Sequence, residues 1–286
     1  MRWGDSGPTL ALAAGLTAGL TALSGCSDAP GETNPPDPPK PVAPETLLPT
    51  TCGHAHNDYE HERPLDDALD HRFCSVEADI YLIDGALLVA HAQYQTDPSR
   101  SLQSLYLDPL RERVKAGALD HDGGGSLVLL IDIKSDAATT YAALHEVLAG
   151  YSELLTRFAD GEVYAGPVTA VISGNRDRAA MEAQNERFAA LDGRPEDLGT
   201  GAPLDLIPLV SQDWKKALSW TGVDAIPADQ AQILADFVTS THDEQRRLRF
   251  WGSPDTELTW TTLLDAGQDL INTDDIAGFA AVDQSR

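Results

Sequence analysis

Leu127-Val128-Leu129-Leu130-Ile131-Asp132-Ile133-Lys134 is the stretch on which the fold turns. An unbroken apolar run without polar alternation suits a strand covered on both faces, and helix-covered parallel sheets are where such strands occur. The run closes on Asp132 and Lys134, which stand two apart and share one side of the strand. A polar pair at the end of a buried strand is costly without partners, so it is a first sign of a site.

The pattern repeats outward in both directions. Strands are expected at 50–54, 74–81, 86–91, 126–134, 168–173, 206–210, 247–251 and 269–272, with amphipathic helices at 139–158, 177–191, 227–241 and 257–266 between several of them. Alternation of this kind predicts an α/β fold with a parallel sheet, and at this strand count a single (β/α)8 TIM barrel. Residues 49–286 are enough for one such barrel, and neither a second linker nor a repeat of fixed period interrupts them.

The expected strand ends carry further polar pairs. His54 and His56 follow the first run, Glu77 and Asp79 lie in the second, and His91 closes the third. Barrel active sites are built at the carboxyl ends of several strands. Two imidazoles can act as acid and base, three carboxylates can hold a hard divalent cation, and a lysine can neutralise an oxyanion. Taken singly, each of these residues reads more plainly as an ion pair, a solvated edge or a packed histidine; their order and spacing together point to phosphodiester chemistry. His61, His71, His121, His145 and His242 lie in polar or helical surroundings and read as surface residues.

The amino terminus has a different character. Met1-Arg2 is followed by an apolar segment from Leu10 to Leu23 and by Ser24-Gly25-Cys26, the parts of a secretory signal over 1–25. Leu23-Ser24-Gly25-Cys26 resembles the bacterial lipobox, which makes Cys26 the expected lipidation site; an ordinary cleaved signal with a coincidental cysteine is the plainer alternative. Residues 26–48 are rich in proline and polar residues and favour an extended tether. The expectation is an exported chain anchored to the membrane through Cys26 on the extracytoplasmic face.

With 20 Lys and Arg against 45 Asp and Glu, the formal charge is −25. Such a surface repels nucleic-acid phosphates and offers no basic stretch as an exception, which excludes nucleic acid as a partner. An anionic lipid would be repelled at long range too, so a phosphodiester substrate would need a cation and Lys134 to reverse the field locally. The acidity also has a simpler reading as an adaptation for solubility or salt. Cys52 and Cys74 form a pair in an exported protein and are either a disulfide or two buried thiols.

Histidine, then Glu-x-Asp, then histidine, then an acidic residue two before lysine resembles the glycerophosphodiester phosphodiesterase and phosphatidylinositol-specific phospholipase C-like superfamily. His54-Ala55-His56-Asn57-Asp58-Tyr59, Pro64-Leu65, Ser75-Val76-Glu77-Ala78-Asp79, Leu105-Tyr106-Leu107-Asp108-Pro109-Leu110, Ile172-Ser173-Gly174-Asn175-Arg176 and Ile271-Asn272-Thr273-Asp274 look like the branch that contains the altered inheritance of mitochondria proteins of fungi. The resemblance covers essentially the whole domain. It implies a phospholipase C-like TIM barrel holding one divalent ion, Mg2+ or Ca2+, on Glu77, Asp79 and Asp132. It further implies His56 as base, His91 as acid and Lys134 on the nonbridging oxygens of a glycerophosphodiester or phospholipid-type substrate. Asn57 stands where such enzymes usually carry a phosphate-gripping arginine, for which Arg176 or Arg63 is a substitute. His54 competes with His56 for the role of base, because Gly53-His54 also matches the Gly-His of sphingomyelinase D-like enzymes; the spacing to Glu77 favours His56. Trp251 is placed either against the substrate or in packing under a loop.

Two alternatives remain. His54-Ala55-His56 also resembles the His-x-His of amidohydrolase and polymerase/histidinol-phosphatase-type metallohydrolases, but no later expected strand ends in histidine to complete such a centre. A non-catalytic lipoprotein that binds phospholipid head groups or sugar phosphates would have no use for an acid and a base.

Overall fold

Eight short strands carry the alternation through which this chain closes on itself: β1 (Cys52–Ala55), β2 (Ser75–Ile83), β3 (Leu127–Ile133), β4 (Val168–Gly174), β5 (Ala189–Gly193), β6 (Leu209–Asp213), β7 (Arg247–Trp251) and β8 (Leu270–Thr273). The structure is a computed structural model that describes residues 40–286. Each strand lies parallel to its neighbours in chain order, and pairing of β8 with β1 and of β1 with β2 completes the barrel. The connections carry α1 (Asp66–Asp70), α2 (Asp108–Lys115), α3 (Ala137–Ala149), α4 (Arg178–Ala183), α5 (Trp214–Ala217), α6 (Ala228–Asp243) and α7 (Glu257–Ala266), and α8 (Ile276–Asp283) follows β8. Only β5 and β6 are joined without an α-helix, by a short 3-10 turn at Pro195–Asp197. This is the expected (β/α)8 barrel.

Period-two alternation divides the core in two. In β3, Leu127, Leu129, Ile131 and Ile133 face outward into the layer packed under the helices. Val128 and Leu130 face inward and join Leu47, Leu48, Phe158, Val171, Ala190, Leu209 and Leu270 in a separate apolar cluster that fills the lower barrel. One step further along the strands the inward positions turn polar: His54, Glu77, Asp79, Ser173, Asp192, Ser211, Arg249 and Asn272 are all buried. The apolar floor keeps water from below and leaves the polar tier open only at the carboxyl ends.

Three expected elements are corrected. The run at 86–91 is no barrel strand: Ala86–Val89 folds back antiparallel on the far half of β2, with Ile80 opposite Val89 and Ile83 opposite Ala86. Asp84 and Gly85 form the turn with φ of 50° and 84°, the left-handed pair that a tight two-residue hairpin demands. The missing eighth strand is β5, which lies in the stretch read as the tail of a helix over 177–191. That helix stops at Ala183, where Gln184 turns extended, and Phe188-Ala189-Ala190-Leu191 is too short a run for period to separate strand from helix. Likewise the helix expected over 139–158 ends at Ala149, and Arg157–Ala159 enters a small antiparallel sheet with Glu162–Tyr164 and Glu186–Arg187.

Cys52 and Cys74 are joined in a disulfide, with Cα atoms 6.0 Å apart. The expected signal over 1–25, most of the tether over 26–48 and Cys26 lie outside the described residues. No helix among the described residues is long and apolar enough to cross a membrane.

Candidate active site

The carboxyl ends of the strands surround a cavity of about 250 Å3 lined by His56, Asn57, Glu77, Asp79, His91, Asp132 and Lys134 on one side and by Ser173, Arg194, Arg249 and Trp251 on the other. The parallel register sets Asp79 level with Asp132 and Asp132 level with Ser173. Glu77, Asp79 and Asp132 each bring a carboxylate oxygen within 4.8 Å of the others. Gly174, with φ of +67°, leaves the room: a Cβ there would fall 2.0 Å from Asp132 Oδ1.

The carboxylates differ in state. Glu77 is buried, which opposes its charge, but Arg249 Nη2 at 2.9 Å and His54 Nε2 at 3.2 Å from Oε2 outweigh burial and hold its pKa below the usual range. Asp79 is pushed up to about 7 by burial and then by the Glu77 charge, although Lys134 Nζ lies 3.1 Å from its Oδ2. Burial also raises Asp132, whose Oδ1 is 3.2 Å from the same ammonium. Lys134 loses charge stability to burial and regains more from Asp132 and Asp79, so its pKa rises.

His54 does not reach the cavity. It is fully buried, with Nδ1 2.6 Å from Ser75 Oγ and Nε2 on Glu77, and burial followed by the Arg249 charge lowers its pKa to about 4. A neutral ring that gives Nε2–H to the carboxylate accepts the Ser75 hydroxyl proton on Nδ1, so both nitrogens are committed within the protein. His56 stands at the mouth. Its Nδ1 is 2.7 Å from Asp274 Oδ1, and its Nε2 is 4.0 Å from Glu77 Oε2. Burial disfavours the charged ring, but the Asp274 hydrogen bond and the Glu77 charge prevail, and the pKa is raised. His91 is more exposed, with Nδ1 3.4 Å from the Tyr59 hydroxyl and 3.8 Å from Asp79 Oδ2.

Asn57, in the left-handed region at φ 47°, brings Nδ2 to 3.3 Å from His56 Nδ1. Neither arginine expected to replace the missing phosphate contact lines the cavity. Arg63 is held on the surface by Asp67 and Asp70, and Arg176 donates to the Asp192 carbonyl. Arg194 and Arg249 line it instead. The alternation Arg247-Leu248-Arg249-Phe250-Trp251 carries the signal for Arg249 and Trp251 on the inner face, whereas Arg194 follows β5, whose sequence suits a helix as well. Trp251 is 39% exposed at the rim.

An all-oxygen donor set is what Mg2+ or Ca2+ takes, and Asp79 Oδ1 is buried without a hydrogen-bond partner. The residues present fit a hard divalent cation. The barrel and the family model together define a class, the TIM-barrel phosphodiesterases. Within it, the chain belongs to the family of the AIM6-like phosphodiesterase domain, whose model matches residues 44–192. The altered inheritance of mitochondria protein 6 homolog of Arthroderma benhamiae is 26% identical over 254 residues, covering 78% of this chain and 81% of that protein. Altered inheritance of mitochondria protein 6 of Lachancea thermotolerans is 30% identical over 276 residues, covering 78% of this chain and 63% of its own length. The crystal structure of a glycerophosphodiester phosphodiesterase from Agrobacterium tumefaciens superposes with a TM-score of 0.50 at 13% identity, over 82% of this chain and 99% of that one, a likeness of fold.

Proposed function

We propose that this phosphodiesterase hydrolyses a glycerophosphodiester or phospholipid-type substrate, with one divalent cation held by Glu77, Asp79 and Asp132 and with His56 and His91 as base and acid. The observation that carries the reading is the meeting, in one cavity, of this carboxylate triad, Lys134 and two imidazoles. A bound cation would supply positive charge to the nonbridging oxygens. Lys134 adds a fixed charge beside it. His56 hydrogen-bonds through Nδ1–H to Asp274, which leaves Nε2 to take a proton from the attacking water. As the new P–O bond forms and the bond to the leaving alkoxide breaks, His91 donates a proton to that alkoxide. His54, already spent on Glu77 and Ser75, orients the carboxylate.

The amino-terminal readings belong to the same proposal: a signal over 1–25, lipidation of Cys26 and a tether over 26–48 would hold the enzyme at an extracytoplasmic membrane surface, near its substrate. The test is a panel of glycerophosphodiesters, lysophospholipids and phosphatidylinositol offered to the full chain with Mg2+ or Ca2+. Turnover that EDTA and His91→Asn each abolish is expected. Activity that survives EDTA would remove the cation from the mechanism, and cation binding without turnover on any substrate would leave a binding protein.

A further inference from the structure

We infer that Tyr59 is a positioning residue for the cation site, fixing the Asp79 carboxylate so that Oδ1 is the oxygen presented to the ion. The inference rests on the cation reading above. Tyr59 is 4% exposed, and its hydroxyl lies 2.8 Å from Asp79 Oδ2, 2.8 Å from Asn57 Oδ1 and 3.4 Å from His91 Nδ1. One hydroxyl carries one proton, and a carboxylate that ligates a cation is ionised and a stronger acceptor than an amide, so with the ion bound the proton goes to Asp79. With Lys134 Nζ also on Oδ2 at 3.1 Å, two donors saturate one side of the carboxylate. The other oxygen is the buried one that has no partner.

The phenol is itself fixed. Tyr59 belongs to the 3-10 turn Asp58–Glu60, and Arg100 donates to its carbonyl oxygen. Asp58, beside it, receives the Leu65 N–H at 2.7 Å and the Tyr106 hydroxyl at 2.8 Å. Rotation of the Asp79 carboxylate would break the Tyr59 bond and carry Oδ2 away from Lys134 Nζ. Partners of this kind set the orientation of a ligand, and their removal costs about 10–100-fold in metal affinity.

The experiment is calorimetric titration of Mg2+ and Ca2+ into the full-length wild type, Tyr59→Phe and Tyr106→Phe, with a thermal melt of each. Tyr106→Phe deletes a neighbouring buried hydroxyl that bonds Asp58 at 2.8 Å and the Glu77 carbonyl at 3.5 Å but touches no ligand carboxylate, so it controls for loss of a buried hydroxyl. Tyr59→Phe is expected to weaken the cation by about 10–100-fold, while Tyr106→Phe stays close to wild type in affinity. Wild-type affinity in Tyr59→Phe, or equal losses in both variants, overturns the role of Tyr59 and leaves the cation reading standing. A wild type that binds neither ion overturns the cation reading and the role of Tyr59 with it.

Discussion

Arg249 and Glu77 form an ion pair 2.9 Å long between side chains 3% and 5% exposed. Removing one partner of such a buried pair leaves an uncompensated charge, so Arg249→Met should destabilise by about 3–5 kcal/mol, read from urea unfolding. His56→Ala should lower kcat by about 10²–10⁴. Because Asp274 helps to raise the His56 pKa, and a base works only when neutral, Asp274→Asn should move the acid limb of kcat/KM to lower pH; an unmoved limb would exclude His56 as the base. Asp58 supplies a sign of its own. Burial lifts it from 3.8 to about 6, so its contribution to stability is whole below its unfolded value and is lost as pH rises through about 6. Asp58→Asn should flatten that fall in unfolding free energy, and denaturation at a series of pH values measures it.

Elements divide into those the pattern of residues reveals and those it conceals. β3 and β7 are legible because long or alternating apolar runs leave one reading, and the end of β3 points directly to Asp132 and Lys134. β5 is concealed because its inward positions are alanine and aspartate, Ala190 and Asp192, and an alanine-containing run of this length suits a helix as well. Losing β5 also loses Arg194. The hairpin shows the converse: the apolar run at 86–91 is a real strand, but it serves a ribbon outside the barrel, and local sequence does not say which edge a strand joins. Spacing to Glu77 favours His56 over His54 as the base, and the register of β1 with β2, which sets His54 beside Ser75, gives the physical reason: His54 is the buried imidazole and His56 the open one. At this scale Leu130→Ala, in the floor beneath the site, should cost about 2–5 kcal/mol.

Whole-molecule properties bear on encounter and durability. A formal charge of −25 slows the approach of an anionic substrate, and added salt screens that repulsion. KM for an anionic phosphodiester should therefore fall as ionic strength rises at constant cation concentration, whereas a zwitterionic one should respond little. The disulfide spans 22 residues and ties the start of β1 to the segment entering β2, where only two residue pairs close the barrel. Its reduction should lower stability by about 3 kcal/mol on loop-closure grounds, seen as a shifted denaturation midpoint. The hairpin on β2 has a practical meaning for anyone labelling this protein. Its tip at Asp84 and Gly85 is exposed, while its base is fastened by the Ala90 N–H on the Asp79 carbonyl. A fluorescent tag spliced into the tip would stand clear of the barrel, but one residue inserted after Val89 would swing the His91 imidazole to the opposite side of the ribbon.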